Sequence, residues 1–130
     1  MQITSNAIFV KNKKILFEKR RKDEDNYASF WALPGGHKKK KESTKKTLIR
    51  EMKEELGIKL KKIKYIGRIK DKDPTSGDLY SHHYYLCLDY EGKIKKTKEQ
   101  EKLRWFTINQ IKKLKTAKPD IKVLKLLGVI

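Results

Sequence analysis

Apolar and polar positions alternate along much of this chain, and where the alternation stops the spacing turns helical. Ile3 to Val10 and Lys14 to Arg20 read as two strands on either side of a turn at Asn12. Lys22 to Ser29 is polar and reads as a loop. Leu60 to Ile69 interleaves apolar residues with lysine, the pattern of a strand with one buried face. Asp71 to Asp78, punctuated by Pro74 and Gly77, is a loop, and Tyr80 to Tyr90 is aromatic and apolar enough for a central strand. Leu103 to Thr107 gives a short strand and Ile108 to Leu114 a helix. Pro119 to Leu127 gives a terminal helix with proline near its first position, where its missing N–H is harmless. No linker or repeat interrupts the series, so residues 1–130 read as a single α/β domain with a mixed sheet and packed helices.

The strongest helical signal lies in the middle of the first half. Leu48, Ile49, Met52 and Leu56 form an apolar stripe, Ser43 or Thr44 can cap its start, and Gly57 sits where a left-handed residue ends a helix. Upstream, Pro34-Gly35-Gly36 reads as a loop whose backbone can approach a ligand closely. Beside the stripe stand three acids. At about 100° per residue, Glu51, Glu54 and Glu55 fall within a sector of roughly 100°. Helix neighbours lie three and four residues apart, and for Glu51 those are Thr47, Leu48, Glu54 and Glu55, none of them basic. Only Glu54 has a partner one turn back, Arg50. Glu51 and Glu55 form a like-charge i,i+4 pair, which is unfavourable by a few tenths of a kcal/mol, roughly the size of a favourable pair. A bound divalent cation offsets such repulsion economically, and hard cations such as Mg²⁺ choose carboxylate oxygens while keeping positions open for water and phosphate.

Charge sharpens the contrast. The chain carries a formal net charge of +18, and lysine outnumbers arginine 29 to 5 among its 34 basic residues. The lysines are spread along the whole sequence, whereas nucleic-acid recognition favours arginine forks and stacked aromatics in a focused patch, so RNA or DNA as partner is not favoured. Biased composition or the Lys/Glu enrichment of heat-adapted proteins explains a diffuse excess equally well. Lys38 to Lys41 is better placed: between Gly36 and Glu42 it would concentrate a polyphosphate by long-range attraction. A chain of 130 residues can bury a proper core. No apolar run reaches the ~18 residues of a membrane span and the N-terminus has no signal-peptide pattern, so a soluble cytoplasmic protein is expected. The single Cys87 excludes an internal disulfide, and no His/Cys spacing suggests zinc.

Residues 36–58 read Gly36, five residues, Glu42, seven residues, then Arg50-Glu51-Met52-Lys53-Glu54-Glu55-Leu56-Gly57-Ile58. This pattern resembles the Nudix box at every fixed position, and Trp31-Ala32-Leu33-Pro34-Gly35-Gly36 resembles its usual lead-in. The resemblance covers nearly the whole chain and implies a Nudix fold, a mixed sheet sandwiched between helices. It also implies Mg²⁺-dependent hydrolysis (Mn²⁺ as substitute) of the pyrophosphate linkage in a nucleoside diphosphate derivative. A (d)NTP or modified (d)NTP giving the monophosphate and pyrophosphate is favoured, with ADP-ribose or a nucleotide sugar as the alternative. A non-catalytic nucleotide- or RNA-binding domain is a further alternative. Isopentenyl diphosphate isomerase shares the fold but needs a catalytic cysteine in a motif that Cys87 does not fit.

By motif position, Glu51, Glu54 and Glu55 resemble metal ligands, Glu51 the base that prepares water, and the Gly35 carbonyl a backbone ligand. Arg50 and Glu42 resemble the orienting pair. A further ligand often precedes a late tryptophan strand; Glu99 and Glu101 precede Trp105, and spacing favours Glu99. Arg21 lies 14 residues before Gly35, as a phosphate-contacting arginine does in mutator-type members, although Arg20 and Arg21 equally suit exposed charge at a strand end. Phe30, Trp31 and Leu33 flank the loop where mutator-type members sandwich the base, although aromatic residues there are more often core, and Gly36 and His37 adjoin the site as further substrate contacts. The asparagine with which mutator enzymes read oxidised guanine is missing from Thr116-Ala117-Lys118-Pro119, and the tyrosine marker of dinucleoside polyphosphate hydrolases is absent. Pro74 stands near a marker proline of ADP-ribose pyrophosphatases, without the long N-terminal extension common among them.

Overall fold

The computed structural model describes all 130 residues, Met1–Ile130. In chain order the elements are β1 (Gln2–Ile8), β2 (Val10–Lys11), β3 (Lys14–Lys19), β4 (Trp31–Ala32), β5 (Gly35–His37) and α1 (Thr44–Leu56). They continue with β6 (Lys59–Lys72), β7 (Leu79–Glu91), β8 (Lys102–Thr107), α2 (Ile108–Ile111) and α3 (Lys118–Leu126). One four-stranded sheet has the order β5-β1-β7-β6, with β1 parallel to β7 and the other pairs antiparallel. In the second, all antiparallel, β3 pairs β8, β2 and β4. The first of these is the mixed sheet expected from the sequence, and the second accompanies it because strand pairing is a long-range property that local alternation does not encode.

The period-2 alternation of side chains sorts the core into two layers. Ala7 and Phe9 join Leu16, Leu48, Met52, Leu56, Leu60, Tyr85 and Cys87 on the α1 side. Ile8, Ile15, Phe17 and Tyr84 pack on the opposite side with Ile111, Val123 and Leu124 of α2 and α3. The mixed α/β sandwich expected of a Nudix fold is thus what forms. Cys87 is buried, and burial pushes its thiol up to about 12. No helix is long and apolar enough to cross a membrane.

Four boundaries differ from the sequence reading. The Ile3–Val10 segment is split, since β1 ends at Ile8 and β2 begins at Val10. Asn12 and Lys13 adopt φ of 51° and 62° and close a tight β2–β3 hairpin there. Strand β6 runs on to Lys72, so Asp71 and Lys72 pair with Tyr80 and Leu79 rather than starting the loop. The helix expected over Ile108 to Leu114 is confined to Ile108–Ile111, capped by Thr107 and Gln110. Pro34-Gly35-Gly36 is no loop: Gly35 and Gly36 begin β5 and pair with Asn6 and Ser5 of β1.

A buried carboxylate locks α3 to the sheet. Asp120 accepts hydrogen bonds from Tyr84 Oη at 2.6 Å and from the Leu33 N–H at 2.9 Å. Burial raises its pKa, while the Tyr84 and Leu33 hydrogen bonds act in the opposite direction. Asp120→Ala would strand two buried donors at 1–3 kcal/mol each, so a loss of roughly 3 kcal/mol is expected in urea unfolding. A loss below about 1 kcal/mol would show that the lock is not structural.

Candidate active site

The acidic face is built by the local chemistry of α1. Ser43 accepts the Lys46 N–H at 3.1 Å and starts the helix. Gly57, at φ 69°, ends it by donating to the Lys53 carbonyl at 3.1 Å. Leu48, Met52 and Leu56 are fully buried, which fixes the rotation of the helix and leaves Glu51 and Glu55 at the edge of the packed stripe. Ile49, assigned to that stripe from the sequence, stands outside it at 36% exposed.

Strand β5 presses against both β1 and this face. A Cβ at Gly35 would stand 2.3 Å from the Ser5 carbonyl oxygen, and one at Gly36 would stand 2.1 Å from Glu51 Cδ. The glycines are therefore required for close approach of backbone to neighbouring groups. The two differ in what they touch: Gly35 meets backbone, Gly36 the far end of a side chain. Gly36→Ala should leave the fold stable and swing the Glu51 carboxylate aside. A displacement of about 1 Å can lower turnover roughly 10²-fold, so activity is expected to collapse with little change in melting temperature. Wild-type turnover by this variant would place Glu51 outside the chemistry.

Arg50 organises the face. Its Nε and Nη2 grip Glu42 at 2.7 and 2.9 Å, its Nη1 bonds Glu51 at 2.8 Å and Glu54 at 3.3 Å, and Nη2 also reaches the His37 carbonyl at 3.1 Å. Glu51 therefore has a cationic partner after all. The sequence reading counted only residues three and four away, whereas a long guanidinium can fold over an adjacent residue. The Arg50 fork, with the Lys39 N–H and Thr47, holds the Glu42 carboxyl down at about 2. Glu51 is shifted the other way, raised by its burial against the opposing pull of Arg50. Glu54 is the most exposed of the three acids, with 54% of its side chain accessible.

Glu51 and Glu55 line a cleft of about 280 Å³ together with Gly35, Gly36, His37 and Glu99, and with Lys38 and Lys39 at its rim. Glu99 is brought in by a pinned loop. Thr97 Oγ1 and Gln100 Nε2 both donate to the Glu55 carbonyl, at 2.9 and 3.1 Å, and Glu99 lies between them in sequence. Glu101 faces away, its Oε1 3.8 Å from Lys19 Nζ. Neither Thr97 nor Gln100 was singled out in the sequence, where nothing distinguishes them within a charged run. Glu55 is almost fully buried; burial raises its pKa well above normal, and nearby Glu18 and Glu51 add to the shift. Its Oε2 has no hydrogen-bond partner.

An orphaned carboxylate oxygen among further carboxylates is the donor chemistry that suits a hard divalent cation. No three acidic or imidazole side chains already stand in a closed metal-holding cluster. The residues that would hold the ion are Glu51, Glu55 and Glu99, with Glu54 and the Gly35 carbonyl nearby in the fold.

Arg20, rather than Arg21, lines the cleft. On β3, Leu16 packs on the α1 side and Ile15 and Phe17 on the other, so positions 18 and 20 continue toward α1. Arg20 bonds the Asn26 carbonyl at 2.8 Å, Asn26 Oδ1 at 2.7 Å and Glu24 at 3.0 Å, which pins the 22–29 loop beside the cleft. Arg21 is chelated by Asp23 at 3.0 and 2.7 Å and lines a separate polar depression with Lys96, Lys98 and Glu101. The structure does not bring Arg21 together with the acidic face. His37 does line the cleft; burial first, and Arg20 next, lower its pKa, which favours a neutral ring. Leu33 is a core residue whose N–H is held by Asp120, beside a cavity of only about 20 Å³.

A cleft of carboxylates rimmed by lysine suits a divalent cation and a phosphate group together. The chain belongs to the NUDIX domain family, whose family model matches residues 2–127. It is 29% identical over 119 residues to a CTP pyrophosphohydrolase from Escherichia coli (strain K12), covering 92% of this chain and 85% of that protein. It is 29% identical over 114 residues to an ADP-ribose pyrophosphatase from Methanocaldococcus jannaschii, covering 86% and 65% of the two chains. The solution structure of the E. coli ORF135 protein superposes with a TM-score of 0.80 at 27% identity, covering 98% of this chain and 89% of that one.

Proposed function

We propose that the protein hydrolyses the pyrophosphate linkage of a nucleoside triphosphate, natural or modified, to the monophosphate and pyrophosphate, with Mg²⁺ as the ion and Mn²⁺ as substitute. The observation that carries this reading is the convergence of Glu51 and Glu55 from α1 with Glu99 from a distant loop on one cleft, where Glu55 Oε2 lacks a partner. When bound, a divalent cation would neutralise phosphate charge and lower the pKa of a coordinated water. The protein's own groups supply the rest. Glu51, which lines the cleft and is held by Arg50 at 2.8 Å, is the group that would take the proton of an attacking water. Arg50 keeps that carboxylate aimed, with Glu42 as its anchor. Arg20, Lys38 and Lys39 present positive charge to phosphate oxygens at the cleft. The similarity to a CTP pyrophosphohydrolase supports a triphosphate substrate.

The test is incubation with Mg²⁺ and a panel of NTPs, dNTPs, oxidised dNTPs, ADP-ribose and sugar nucleotides, with Glu54→Gln in parallel. Release of pyrophosphate and monophosphate by the wild type, and not by the variant, is expected. Turnover of ADP-ribose alone would replace the triphosphate reading. Binding without turnover of any nucleotide would overturn the enzymatic one.

A further inference from the structure

Glu18 is used by none of the roles above, yet it is a carboxylate only 2% exposed in the middle of β3. Its neighbours in the strand, Ile15, Leu16 and Phe17, are core residues, and an acid completing such a run must be compensated. Its one ion pair is long, Oε1 to Arg20 Nη1 at 3.7 Å. Arg20 makes its shorter bonds, 2.7 to 3.0 Å, to Asn26 and Glu24 instead. By the alternation of β3, Glu18 projects to the side on which Leu16 meets α1. There it faces the helix that carries Glu55. Arg20 itself lines the cleft, where the buried Glu55 Oε2 has no partner. A carboxylate buried on the α1 side, with its one guanidinium 3.7 Å away and engaged elsewhere, is short of positive charge.

We infer that Glu18 is an additional carboxylate of the divalent-cation site, holding the ion from the second sheet beneath Glu55. The inference rests on the proposed metal-dependent reading and adds a donor that the α1 motif does not contain. A site so built draws charge from three separate elements, β3, α1 and the 97–100 loop. It ties β3 to α1 and to that loop when filled, so cation binding should stabilise the fold as well as serve turnover.

The test is titration of the whole protein with Mn²⁺, followed by the electron paramagnetic resonance signal of the free ion, alongside melting of the metal-free protein. Wild type, Glu18→Gln and Glu101→Gln are compared, the last removing an exposed acid just before β8. Glu18→Gln is expected to weaken Mn²⁺ affinity roughly 10- to 100-fold. It should melt no lower than wild type without metal, since a like charge has been removed, and Glu101→Gln should bind as wild type does. Equal Mn²⁺ affinity in wild type and Glu18→Gln would overturn the inference and leave the metal-dependent reading standing. A wild type that takes up no Mn²⁺ would overturn both. Should Glu18→Gln fail to fold, Glu18→Asp keeps the charge and shortens its reach by one methylene; unchanged affinity in that variant would equally refute the assignment.

Discussion

Replacing Glu51 by Gln should lower turnover roughly 10³-fold at saturating divalent cation, which corresponds to about 4 kcal/mol of transition-state stabilisation. Glu51 occupies the one position where three requirements meet. Its side chain lines the cleft, its Oε1 is fixed by Arg50 at 2.8 Å, and Gly36 lies close enough against it that no Cβ would fit. An amide keeps the shape and most of the volume but loses the charge and cannot take a proton. Because Glu54, Glu55 and Glu99 all surround it with like charge, removing the charge should not destabilise the metal-free protein. Turnover and melting temperature therefore separate: the first collapses and the second holds. Activity within about tenfold of wild type would place the general base elsewhere, since proton transfer by a positioned side chain alone typically contributes 10²- to 10⁴-fold.

That α1 carries the acidic face was legible because every local signal agreed: the Ser43 cap, the Leu48–Met52–Leu56 stripe and the left-handed Gly57. Strand β5 was not, because Gly35 and Gly36 have no side chains to alternate, and their pairing partner lies about thirty residues earlier on β1. The two-residue strands β2 and β4 are too short to show any period. Glu99 was reachable by its spacing from Trp105, but the reason it turns inward, the grip of Thr97 and Gln100 on the Glu55 carbonyl, is a tertiary contact. Arg20 and Arg21 could not be told apart by counting back from Gly35. The parity of β3 separates them, and that parity needed only the observation that Leu16 is buried toward α1. The same parity would have exposed Glu18, an acid where the strand pattern asks for an apolar residue. A local rule broken inside an otherwise consistent strand is where function is to be sought.

Arg50→Lys should lower turnover roughly 10- to 100-fold, nearly as much as Arg50→Ala, because an outer partner that orients ligands acts through geometry. Lysine keeps the charge but has no planar fork, and the wild-type side chain makes two near-parallel bonds to Glu42 while still reaching Glu51. An ammonium can satisfy one of those carboxylates at a time. Released from Arg50, Glu51 is free to move away from its place beside Gly36, so KM for the metal-bound nucleotide should rise along with the fall in kcat. The pH dependence of stability identifies the anchor. Glu42 is depressed from 4.5 to about 2 in the folded protein, so it contributes stability that is fully present above pH 4.5 and lost as the pH falls through 2. The difference in melting temperature between wild type and Arg50→Ala should therefore narrow as the pH falls from 4.5 toward 2. A difference that stays fixed across this range would mean that Arg50 stabilises the protein through its aliphatic stem and not through the Glu42 fork. Full activity in Arg50→Lys would remove bidentate geometry from the account of how Glu51 is aimed.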